Sequence, residues 1–217
     1  MFLPVWQARD MVILGLTGSI AIGKTDAAKA FRRLGVHVHD ADKVVHGLMA
    51  RDGLAVNQVR ALFPETVKDG QVDRTALGQR VFGDADALQQ LEGILHPLVH
   101  KVERRFLSAA VRRGDKMVVL DIPLLFETKG EDRCDLVAVV TAPTRIQRAR
   151  VLNRPGMTVG RLSKILDHQM PDAEKCERAN FIIPTGLGHA LSLRVIKNIV
   201  RVVSTIPPQK WRPGYGS

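Results

Sequence analysis

The stretch "LTGSIAIGKTD", residues 16–26, places Gly18, Gly23, Lys24 and Thr25 in a G-x-x-x-x-G-K-T spacing. Glycines at both ends of such a loop let the backbone turn its N–H groups inward, and a helix starting at the lysine adds its positive end to the same anion site. Lys24 would then reach the β- and γ-phosphates of a nucleotide, and the Thr25 hydroxyl would bind Mg²⁺. Ser19, Ile20, Ala21 and Ile22 take part through their amides, so side chains other than glycine and serine are compatible with a cradle. Asp26 follows at the start of the helix.

Two further stretches carry carboxylates. In "HDADK", residues 39–43, either Asp40 or Asp42 can cap a following helix, and either can orient an acceptor hydroxyl for phosphoryl transfer. Spacing alone leaves that choice open; we assign Asp40 to the cap and Asp42 to the base. "MVVLDIPLLFE" puts Asp121 at the end of an apolar run, where a carboxylate supports Mg²⁺ or caps a turn before Pro123. His96 and His100 lie four apart without an evident third ligand, and Pro97 is expected to start a helix, so a histidine metal centre is not expected.

These residues need elements to hold them. The runs 12–16, 36–39, 117–120, 136–140 and 181–183 are short and β-branched and alternate with helix-period segments, which predicts five parallel strands covered on both faces. Gly35 is a C-terminal cap candidate for the helix after the loop. Residues 43–113 are too long for a simple crossover and read as a helical insertion that covers a substrate. Residues 145–172, with Arg150 and Arg154, a Pro-Gly break and Thr158 as an N-cap, read as an arginine-rich lid or a solvated basic hairpin. Ligands of open parallel sheets sit beyond the carboxyl ends of the strands, which is where the loop, Asp40, Asp42, Asp121 and the start of the arginine helix fall.

The net charge of +10 draws polyanions, but with 5% aromatic residues a base-stacking surface is poorly supported. No apolar run reaches the ~20 residues of a membrane span. Cys134 and Cys176 lack metal-ligand spacing and read as reduced thiols of a cytoplasmic protein. A monomer is expected, with neither membrane nor nucleic acid as partner. Residues 1–10 read as a loose extension before a second methionine, and residues 204–217 as a tail.

In order along the chain, "LTGSIAIGKT", "DAD" at 40–42, "HP" at 96–97, "PLLFE" at 123–127, Arg150, Arg154, Gln169-Met170 and "ANFIIPT" at 179–185 resemble the dephospho-CoA kinase family from about residue 11 to 203. The resemblance implies a P-loop NTPase-type α/β/α fold of three layers around a five-stranded parallel sheet. It also implies ATP- and Mg²⁺-dependent phosphorylation of the ribose 3′-hydroxyl of dephospho-CoA, the last step of coenzyme A synthesis. Residues 18–26 and Arg154 would bind ATP, with Lys24, Asp42 and Arg150 catalytic and Thr25 and Asp121 on the metal. Asp42, His96, Pro123 and Leu124 would bind the acceptor, with the insertion around His96 over its pantetheine arm. Ser19, Ala21, Ile22, Asp26, Asn180 and Pro184 depart from the family pattern. Another small-molecule kinase shares the cradle and lid but is not expected to carry "DAD", "HP" and "PLLFE" together. A GTPase is disfavoured by the lack of an N-K-x-D motif, and a nucleic-acid-stimulated ATPase would show steep salt dependence.

Overall fold

The computed structural model describes residues 11–206. The extension expected at 1–10 and the tail beyond 206 lie outside them. The described elements run β1 (Val12–Thr17), α1 (Lys24–Arg33), β2 (His37–Asp40), α2 (Ala41–Met49), α3 (Val56–Leu62), β3 (Val67–Lys68), β4 (Gln71–Val72), α4 (Arg74–Val81) and α5 (Ala85–Arg113). They continue with β5 (Met117–Asp121), β6 (Leu136–Thr141), α6 (Thr144–Leu152), α7 (Val159–Asp167), α8 (Asp172–Glu177), β7 (Phe181–Pro184) and α9 (His189–Val203). Among the described residues, 11–39 with 108–206 form one compact unit and 40–107 a second.

The first unit is built on a five-stranded sheet in the order β2-β5-β1-β6-β7, with β1 parallel to β5 and β6, and β6 parallel to β7. Each predicted strand is present within a residue or so of its expected ends. All six residues of β1 are buried, as a central parallel strand requires. Val12, Leu14, Leu16, Met117, Val119, Ala138, Val140 and Ile183 face one side, where they meet Ala27, Ala28 and Phe31 of α1 and Ile196, Ile199 and Val203 of α9. The alternate residues Ile13, Val118, Leu120, Val137 and Val139 are buried as well, so both faces are covered. Gly35 follows α1 at φ 81°, a left-handed residue just past the helix end, and the Thr158 side chain accepts the Arg161 N–H to cap α7.

The 40–107 unit corrects two expectations. It is not wholly helical, because Val67 and Lys68 pair antiparallel with Val72 and Gln71. Asp69 and Gly70 form the turn at φ 48° and 75°, and a two-residue hairpin with both central residues left-handed is the one that Asp-Gly favours. Nor does Pro97 start a helix: it lies inside the 29-residue α5. Proline lacks the N–H that would bond back to the Gly93 carbonyl, a local loss. Leu91 and Ile94 before it, with Leu98, Val99 and Val102 after it, pack on the unit's apolar core, and their burial outweighs that loss. This core also contains Leu48, Met49, Val56, Val59, Phe63 and Leu77.

Candidate phosphate-loop site

The loop between β1 and α1 owes its path to both its glycines and its unexpected residues. A Cβ on Gly18 would stand 2.3 Å from the Ile22 Cδ1 and 2.6 Å from the Val140 carbonyl oxygen. Ile22 itself is buried in the sheet's core, so its side chain turns away from the concave side and anchors the loop from below. Ala21 occupies a left-handed conformation at φ 60°, which costs a residue with a Cβ ~1–2 kcal/mol. Gly23, at φ 97°, precedes α1, which begins without a side-chain cap. The Gly23 carbonyl accepts the N–H groups of Asp26 and Ala27. Thr25 and Asp26 are exposed in the first turn, and Asp26 stands 3.7 Å from Lys29.

Three side chains from the far half of the chain grip this loop. Gln147 Nε2 of α6 donates to the Ile20 carbonyl at 3.0 Å, and the Ile20 N–H donates to Gln169 Oε1 at 3.3 Å. Both glutamines belong to the 145–172 segment, one near each end. Thr185 Oγ1, just past β7, donates to the Ile22 carbonyl, while its own N–H donates to the Thr141 carbonyl at 2.9 Å. Gln147 and Thr185 were not picked out by sequence reasoning. Gln147 is the one uncharged polar side chain between Arg145 and Arg150 of α6, and Thr185 follows from applying the strand-end rule to β7 as well as to the other four strands.

Lys24 Nζ pairs with Asp121 Oδ1 at the end of β5, with Asp121 nearly buried. The turn that follows is tied down as well: the Thr17 hydroxyl donates to the Pro123 carbonyl at 2.9 Å, and Leu124 is exposed. Arg150 of α6 donates twice to Thr185, from Nη1 to the hydroxyl at 3.2 Å and from Nη2 to the carbonyl at 3.1 Å. The structure therefore brings Lys24 to Asp121, and Arg150 to the loop's flank through Thr185. Arg154 is exposed beyond the end of α6.

Glu127, the last residue of "PLLFE", reaches Lys175 Nζ at 2.8 Å and accepts the Met170 N–H at 2.8 Å. Burial pushes its carboxyl up, but Lys175, its own backbone and the Met170 N–H together hold it below the usual glutamate range. The Cys176 thiol is pushed up by burial and by the Asp172 carboxylate, against a lowering by Thr141.

In the 40–107 unit, Asp40 caps α2: its Oδ1 accepts the Lys43 N–H at 3.1 Å and its Oδ2 lies 3.7 Å from Lys43 Nζ. Asp42 is exposed in the first turn of α2, and His96 is exposed on α5.

Residues 12–187 match the family model of dephospho-CoA kinase. The chain belongs to the dephospho-CoA kinase family. Its similarity extends to a dephospho-CoA kinase of Paramagnetospirillum magneticum, 63% identical over 165 residues, which cover 76% of this chain and 78% of the relative. A dephospho-CoA kinase of Rhodospirillum rubrum is 50% identical over 206 residues, covering 94% and 96%. Among solved structures, a Thermus thermophilus protein superposes with a TM-score of 0.79 at 32% identity over 88% of this chain and 96% of that one. The dephospho-CoA kinase of Campylobacter jejuni, at 22% identity and a TM-score of 0.62 over 90% and 99%, shares the fold. As a dephospho-CoA kinase family member the chain is a phosphotransferase with a P-loop nucleotide-binding fold. No helix among the described residues is long and apolar enough to cross a membrane.

Proposed function

We propose that this chain transfers the terminal phosphate of ATP to the ribose 3′-hydroxyl of dephospho-CoA, as a cytoplasmic monomer. The observation that carries this reading is the P-loop with its Lys24–Asp121 pair in a chain that matches the family model over 12–187. The new bond joins the acceptor oxygen to the γ-phosphorus, the bond to the β-phosphate oxygen breaks, and ADP leaves.

The chain's own residues supply position and charge. Lys24 and the loop amides hold the phosphates. The Thr25 hydroxyl and the Asp121 carboxylate are the hard oxygen donors that suit Mg²⁺, which when bound offsets the charge of the terminal phosphates. Asp42 takes the acceptor's proton; Asp40 is committed to its helix cap, which favours Asp42 for the role. Arg150, held on Thr185, and Arg154 offset charge on the group in transfer. His96, Pro123 and Leu124 contact the acceptor, His96 along its pantetheine arm.

The reading is tested by incubating the purified protein with Mg-ATP and dephospho-CoA and following CoA and ADP, which are expected in equal amounts. An inert dephospho-CoA overturns the acceptor assignment. Asp42→Asn is expected to lower kcat by ~10²–10⁴-fold with ATP binding unchanged, the usual range for a lost general base. Near-wild-type turnover would remove Asp42 from the role.

A further inference from the structure

Lys175 is a fully buried cation on α8, a helix of six residues. Its Nζ forms an ion pair with Glu127 Oε1 at 2.8 Å and has no further polar partner among the described residues. Glu127 Oε2 is buried with no hydrogen-bond partner among the described residues. A buried pair so incompletely bonded is a poor device for stability, because apolar residues of similar volume do as well or better. Its placement has to be explained by what it holds.

Glu127 Oε1 is also the acceptor of the Met170 N–H. Pro171 follows, without an N–H of its own, so this bond, with the Gln169 N–H on the Leu166 carbonyl, holds the backbone where the 145–172 segment meets α8. The neighbouring side chain, Gln169, accepts the N–H of Ile20 in the P-loop. The same helix is tied to its surroundings at both ends: Thr141 Oγ1 donates to Asp172, and the Arg178 guanidinium lies 4.6 Å over the Phe126 ring while pairing with Glu131 at 2.7 Å.

We infer that Lys175 is a positioning residue for nucleotide binding: through Glu127 and Met170 it sets Gln169, and Gln169 sets the Ile20 peptide of the P-loop. The buried ammonium holds the carboxylate in place while the same Oε1 accepts the Met170 N–H. The inference rests on the P-loop binding a nucleotide, which wild-type turnover of dephospho-CoA tests separately.

The test measures ADP binding by calorimetry beside KM for each substrate. In Glu127→Leu/Lys175→Met, where neither charge is left alone, the midpoint of thermal unfolding stays within a few degrees. ADP affinity and KM for ATP each worsen by about tenfold, while KM for dephospho-CoA is unchanged. Glu127→Gln/Lys175→Met, which keeps an acceptor for Met170, recovers most of the ADP affinity. Gln169→Ala weakens ADP to a similar extent, and adding it to the Leu/Met pair causes little further loss, since both act on one peptide. ADP affinity within twofold of wild type in the folded Leu/Met variant overturns the inference, as do losses that multiply when Gln169→Ala is added. Should the Leu/Met variant not fold, Gln169→Ala decides alone: unchanged ADP binding refutes the route from Lys175 to the loop.

Discussion

Around Gly18–Thr25 the backbone is held by polar side chains at single atoms: Gln147 on the Ile20 carbonyl, Gln169 on its N–H and Thr185 on the Ile22 carbonyl. The 40–107 unit is held differently, by a continuous apolar core around Phe63, Val59, Leu77 and Leu91. The contrast follows from what each region carries. The loop takes its shape from a few directed bonds of ~0.5–1.5 kcal/mol each, with one apolar anchor, the buried Ile22 side chain, beneath it. A unit that carries side chains on helices can take its shape from burial, which is larger in sum and indifferent to direction.

Perturbing the two regions should therefore give different signatures. The largest effect is expected in the apolar unit: Phe63→Ala, at a residue 1% exposed, should cost ~3–5 kcal/mol of folding stability in denaturant titration. A smaller loss would mean that this core collapses readily around the gap. Next comes the ion pair behind the loop. Because the folded state holds the Glu127 carboxyl below its unfolded value, the pair's contribution is present above the ordinary glutamate range of about 4.3 and is lost below it, as pH falls through the lower folded-state value. The melting temperature of the wild type should therefore fall more steeply on acidification than that of Glu127→Leu/Lys175→Met; parallel profiles would deny the pair a proton-linked role. The smallest effect belongs to the loop itself. Ala21→Gly removes the left-handed strain at φ 60° at the cost of a freer unfolded chain, and should raise stability by ~0.5–1 kcal/mol. A loss of stability would show that the Ala21 methyl group packs usefully where it stands.

Most of the sheet was legible in the sequence because two signals coincide there. Runs such as "VILGL" and "LVAVV" are β-branched and two-sided, and the glycine-lysine motif states where β1 ends and α1 begins. The hairpin at Lys68–Gln71 was legible too, since Asp-Gly is its usual turn, but the helical reading of the insertion hid it. Pro97 misled because its preference for a first turn is local, whereas the apolar stripe running through it from Leu91 to Val102 is settled by packing. The grip on the loop was not legible at all. Gln147 lies 127 residues from Ile20 and Thr185 lies 163 from Ile22, and no local period records such meetings. Ala21 and Ile22 looked like two tolerated departures of one kind, but one bears strain and the other anchors the loop.

The surroundings of the two cysteines have a consequence for chemical compatibility. Cys134 is buried, its sulfur so close under Gly15 that a Cβ there would stand 2.9 Å away, and burial and Asp172 push the Cys176 thiol up, disfavouring its thiolate. Disulfide exchange needs an accessible thiolate. Dephospho-CoA and CoA both end in a free thiol, and a reactive cysteine on the enzyme would be exposed to that thiol, and to its oxidised forms, at every turnover. With one cysteine buried and the thiolate of the other disfavoured, the enzyme offers such a thiol little to exchange with.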